Sequence, residues 1–146
     1  MNEEVEVVPR EDDAAEDYDE RFLVAALLVF VARGDGIISE RETEKMLSLV
    51  GEHFGLPSGA SLALLTRAIE ALSDDPRLPD RLRELAPRLD AAQKEDVAVM
   101  LLNVVAADGR KDAAEMELLQ RAGEIMGITS EGMHRAFDRY FSETWT

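Results

Sequence analysis

Two short stretches gather the acids and glycines that could do chemistry. In the first, Asp35-Gly36 is followed by Ser39 and Glu42; in the second, Asp108-Gly109 is followed by Glu115. Carboxylates at this spacing, with a glycine to turn the backbone, are ligands a hard divalent cation such as calcium takes. The first stretch matches the second half of an EF-hand loop. With Gly36 at loop position 6, Glu42 falls at position 12, the bidentate place, Ile38 takes position 8, and Asp35 and Ser39 take 5 and 9. The first half does not match. Positions 1 and 3 would be Val31 and Arg33, and in the second copy Val104 and Ala106, so neither stretch is an EF-hand. What remains is half a cation site per copy, with Asp35, Glu42, Asp108 and Glu115 as candidate metal ligands. A structural account competes with it: Asp-Gly is a turn, and acids near a helix start suit the helix dipole.

Other reactive groups are sparse. Glu131 and His134 form Glu-x-x-His, half of a di-iron bundle motif, but His53 has Val50 three residues before it, so the second half is missing. An exposed helical histidine is the expected reading of His134. Asn103, which stands in an apolar run, is expected to be a buried amide with a hydrogen-bond partner. Trp145, the single tryptophan, is expected at a frayed terminus, able to dock on the body or on a partner. The chain has no cysteine, which excludes disulfides, thiolate zinc sites and thiol nucleophiles. No catalytic constellation emerges, and the expectation is a protein that is not an enzyme and holds no certain cofactor.

Composition narrows the partners. The 146 residues suffice for one domain, and 46% are hydrophobic but only 5% aromatic, a balance that favours helix packing over a sheet. The net charge is −15. Ten acids and one arginine stand in the first twenty residues. Phosphate-rich partners call for the opposite sign, so nucleic acid and anionic membrane are not expected, whereas cations and basic protein surfaces are. The longest apolar run, Phe22 to Ala32, is too short for the ~20 residues of a membrane helix. With an acidic rather than basic start there is no signal peptide pattern, and a cytoplasmic location is expected. Residues 1–18 read as a disordered, solubilising acidic leader, with a binding arm as the alternative.

The elements that must position the two acidic stretches are helices. The patterning predicts about seven, near 19–33, 39–54, 58–72, a short amphipathic one at Arg81–Leu85, 91–107, 112–126 and 130–141. Ser39 and Glu42 have capping-box spacing, and Gly55 stands where a helix C-cap belongs. Three of five prolines, Pro76, Pro79 and Pro87, mark residues 75–90 as a connector between repeat one, 19–74, and repeat two, 91–142.

The repeat itself emerges when the chain is shifted by 73 residues, so that VAALLVFVARGDG falls on VAVMLLNVVAADG. Leu28 meets Leu101, Asp35 meets Asp108 and Glu42 meets Glu115; after a one-residue gap Glu52, Gly55 and Ser58 meet Glu124, Gly127 and Ser130. Each copy has one helix apolar on all sides, which must be surrounded by others. The expected fold is therefore all-α: two pseudo-two-fold related helical repeats around two central hydrophobic helices within one domain, 19–146.

VARGDGIISERETEKMLSLVGEHFGL and VVAADGRKDAAEMELLQRAGEIMGI resemble the repeated signature of the TerB-like, tellurite-resistance family: an apolar helix ending in Ala-x-Asp-Gly, a Glu soon after, and Gly-Leu or Gly-Ile closing the next helix. The resemblance covers roughly residues 20 to 142. It implies an all-helical fold with two central hydrophobic helices, a role around stress or tellurite resistance, and divalent-metal binding. The first copy departs from the signature with Arg33-Gly34 where the second has Ala106-Ala107. The expected function is an acidic helical module binding divalent cations, a partner protein or both. The alternatives are a protein–protein adaptor with structural Asp-Gly turns, and, least favoured, a metal-carboxylate enzyme.

Overall fold

Asp19 starts the first helix by capping it. Its Oδ1 accepts the N–H groups of Arg21 at 3.0 Å and Phe22 at 3.3 Å, which the helix itself leaves without acceptors. The computed structural model describes residues 19–33, 38–107 and 113–145, and in the last stretch the side chains of 116–143. Those residues form seven α-helices and no strand: α1 Glu20–Ala32, α2 Glu40–Phe54, α3 Ser58–Asp74, α4 Leu78–Leu85, α5 Ala91–Ala106, α6 Ala113–Met126 and α7 Ser130–Trp145, with a 3₁₀ turn at Ala86–Arg88. The all-α expectation therefore holds. The leader 1–18 and the two loops at 34–37 and 108–112 lie outside the described residues.

α1 has no polar face between Phe22 and Ala32, and every one of those side chains except half-buried Phe30 is buried. α5 opens with a polar turn and then buries Val97–Leu102, Val104 and Val105. Leu28 and Leu101, matched across the repeat, are both fully buried. The two apolar helices pack on each other, and the rest wrap them in an exchanged pattern. α3 packs on α1 as α7 packs on α5; α6 also reaches α1, as α2 reaches α5. This is the wrapping that two repeats sharing one core require, since neither central helix has a face it can show to water.

Glycines register the same duplication. An added Cβ on Gly51 would lie 3.2 Å from Ser61 Oγ, and one on Gly123 would lie 2.9 Å from Met133 Cε. Gly51 and Gly123 are equivalent by the 72-residue offset after the gap, and so are Ser61 and Met133. In each repeat a side chain of the third helix thus lies over the glycine of the second at the equivalent point, Ser61 where α2 packs on α3 and the flexible tip of Met133 in the second repeat. Both second helices end on a left-handed glycine, Gly55 at φ 65° and Gly127 at φ 72°. The proline-rich connector folds as α4, with Pro79 in its first turn, where a missing N–H costs nothing, and buries Leu78 and Leu82. α3 and α7 run past their expected ends to Asp74 and Trp145, because neither Ser73-Asp74 nor Ser142–Trp145 contains a helix breaker.

Candidate functional site

The first acidic stretch joins α1 to α2. α1 ends at Ala32, with Arg33 as its C-cap, and α2 starts at Glu40. Between them Ile38 is half-buried and packs against the core, which ties down the chain just before α2. Ser39 is the N-cap: its Oγ accepts the N–H of Glu42 at 3.0 Å, and Glu42 Oε1 accepts the N–H of Ser39 at 2.9 Å. The capping box expected from the Ser-x-x-Glu spacing is therefore present.

Its geometry has a consequence beyond capping. Glu42 is 1% exposed, the one buried acid among the described residues. Oε1 is engaged by Ser39, while Oε2 is buried and has no hydrogen-bond partner. An acid carries a large desolvation cost when buried, and one oxygen without a donor leaves that cost uncompensated. The α2 N-terminus favours negative charge here but supplies no hydrogen bond to Oε2. The cap therefore orients the carboxylate through Oε1 and leaves Oε2 as a buried acceptor without a donor.

Of the other candidate ligands, Asp35 and Asp108 lie outside the described residues, as does the side chain of Glu115. The backbone nonetheless puts Glu115 third in α6, the place Glu42 has in α2. No group of three or more His, Asp or Glu side chains is arranged to hold a metal ion among the described residues. Glu-x-x-His is on the surface: Glu131 is exposed, and His134 Nε2 is 4.0 Å from Asp138 Oδ2, with both side chains mostly in solvent. Asn103 has the expected hydrogen-bond partner, donating Nδ2 to Val99 O of its own helix at 2.9 Å, but it is half-buried rather than buried. Trp145 closes α7, and its side chain lies outside the described residues.

Sequence reasoning missed three features. One is Ser61 Oγ, buried without a partner where α2 crosses α3, beside a groove of about 400 Å³ lined by Leu47, Gly51, Glu52 and Leu56. Another is a polar clamp between α5 and α7. Arg135 Nε donates to Glu95 Oε1 at 3.0 Å, and Arg139 Nη1 donates to Glu95 Oε2 at 3.2 Å and to Asp96 Oδ1 at 2.7 Å. Hydrogen bonds from Arg135 and then Arg139 hold the Glu95 carboxyl below its ordinary value. The third is a pair of guanidinium–ring contacts onto α1, Arg67 over Phe22 at 5.6 Å and Arg121 over Phe30 at 5.5 Å. None has a short-range sequence signature, because each joins residues from different helices.

No helix among the described residues is long and apolar enough to cross a membrane. No curated protein and no solved structure matches the chain significantly. The family model of tellurite resistance protein TerB matches residues 21–138, from the start of α1 into α7 and so across both repeats. The chain therefore belongs to the TerB family.

Proposed function

We propose that this TerB-family chain is a non-catalytic, cytoplasmic cation-binding module, working in a stress or tellurite-resistance setting. Its sites would be the two acidic stretches, with Asp35 and Glu42 in one and Asp108 and Glu115 in the other. The observation that carries this reading is the orphaned Oε2 of buried Glu42. A divalent cation would supply what Oε2 lacks, and Asp35 stands within the same inter-helix connection. The setting rests on family membership alone. With so few carboxylates per stretch, calcium affinity belongs near the millimolar end of the ~10⁻⁹–10⁻³ M span of protein sites.

Calorimetry with calcium tests the reading, in about 0.15 M salt so that the diffuse hold of a −15 chain on cations is screened. The expected outcome is a saturable heat that Glu42→Gln or Asp35→Asn removes from the first site and Asp108→Asn from the second. If all three variants titrate like the wild type, the acids are turn and cap residues. The adaptor reading would then take over, supported by Leu62, Ile69 and Phe141, the large apolar side chains left exposed among the described residues.

A further inference from the structure

We propose that the acidic segment 1–18 folds back onto its own domain, across a groove rimmed by Arg21, Arg67 and Arg88. Two depressions meet at the start of α1. One runs along α3 over Ala60, Ala63 and Leu64 to Arg67, and the other lies against Phe54 and Arg88. Both are also lined by Asp19 and Arg21, so the described chain begins inside the groove. Occupancy by the preceding residues of this chain needs no separate encounter.

Charge selects the same occupant. Residues 1–18 hold eight acids and one arginine, seven of the fifteen net negative charges of the chain. Three arginines rim the groove against two acids, Asp19 and Glu20, whose carboxylates are already hydrogen-bonded within the fold. Asp19 Oδ1 caps α1, and Glu20 Oε2 accepts a hydrogen bond from Gln93 Nε2 at 3.2 Å. Arg21 and Arg88 are exposed and pair with no carboxylate among the described residues. The Arg67 guanidinium is positioned by its contact with the Phe22 ring.

Length and pattern agree. Val5, Val7 and Val8 precede the acids at 11–17. Extended at ~3.3 Å per residue, the fourteen residues from Val5 to Tyr18 reach roughly 45 Å. The 17 residues of α3 span only about 25 Å. The acids can therefore meet the arginines while the valines cover the small apolar floor of Ala60 and Ala63. Each exposed ion pair contributes little, but a tether turns several of them into one intramolecular event at high effective concentration. The sequence alone presents 1–18 as a tail because Arg21, Arg67 and Arg88 are far apart in the chain and gather only through the packing of α3 and the connector around α1.

The full chain has no cysteine, so Val8→Cys offers a single attachment point for a nitroxide, read out by broadening of backbone amides. The expected result is strong broadening at Ala60, Ala63 and Leu64, largely lost in about 0.5 M salt, where the Debye length is roughly 4 Å. Arg21→Gln/Arg88→Gln, which leaves Arg67 and its ring contact in place, should also weaken it severalfold. Broadening confined to the first turn of α1, or indifferent to both salt and the arginine substitutions, overturns the proposal. So does equal broadening when label and isotope are on different molecules, since the segment would then be reaching a second copy.

Discussion

Glycine shows how one residue type takes opposite roles according to its backbone. Gly55 caps α2 at φ 65°, where an added Cβ would find nothing within 4 Å. Gly55→Ala therefore meets no steric obstacle and bears only the left-handed conformational cost, ~1–2 kcal/mol. Gly59 stands in the first turn of α3, also with open space around its Cβ position, but with no positive φ. Gly59→Ala should stabilise by about 0.5 kcal/mol, since alanine restricts the unfolded chain without straining the helix. Urea midpoints of the two variants should move in opposite directions. A neutral Gly55→Ala would mean that the left-handed backbone at this cap carries no cost for alanine. Gly55 was legible in the sequence because a cap depends on neighbours along the chain. The burial of Glu42 was not, since Ser-x-x-Glu says that Oε1 returns to Ser39 and says nothing about how far the packed helices bury the rest of the side chain.

Helix boundaries were largely readable for the same local reason. Ser39 with Glu42 and the paired glycines at 55 and 127 each act within one turn of the chain, whereas α4 starts at Leu78, before the expected Arg81, because Pro79 fits its first turn. The clamp between α5 and α7 was hidden, because Glu95 and Arg135 are 40 residues apart and meet only when α7 packs on α5. It carries a pH signature. Arg135 and Arg139 hold the folded Glu95 carboxyl below the ~4.3 of an unfolded chain. The unfolded state then binds a proton more readily, so the clamp's contribution is complete above about pH 5 and is lost as pH falls through the lower folded value. Glu95→Gln keeps the side-chain shape without the charge. Its melting temperature should lie below the wild type at pH 7, and the gap should narrow steadily between about pH 5 and pH 3. A constant gap over that range would show that the two arginines do not perturb Glu95. Asp96 shares Arg139, and Asp96→Asn serves as the companion variant.

Across the whole molecule, two buried helices give the fold its order, and a net chain charge of −15 works against compactness. Any salt relieves that self-repulsion, as the screening length shortens from ~30 Å at 0.01 M to ~8 Å at 0.15 M ionic strength. Sodium chloride should therefore raise the melting temperature over this range, and a rise with calcium alone would say nothing about a site. The informative comparison is calcium chloride against sodium chloride at equal ionic strength. A site that binds only the folded chain adds RT ln(1 + [Ca²⁺]/Kd), about 1.4 kcal/mol at tenfold over Kd, or roughly 5 °C for a domain of this size. With a millimolar site, about 10 mM calcium should open that gap, and Asp35→Asn combined with Asp108→Asn should close it. The double substitution also removes two negative charges, so its sodium chloride curve should start higher and rise less steeply. Were the calcium and sodium curves of the wild type to coincide, the orphaned oxygen of Glu42 would be an energetic cost of packing α2 onto the two central helices, and the acidic loops would be turns.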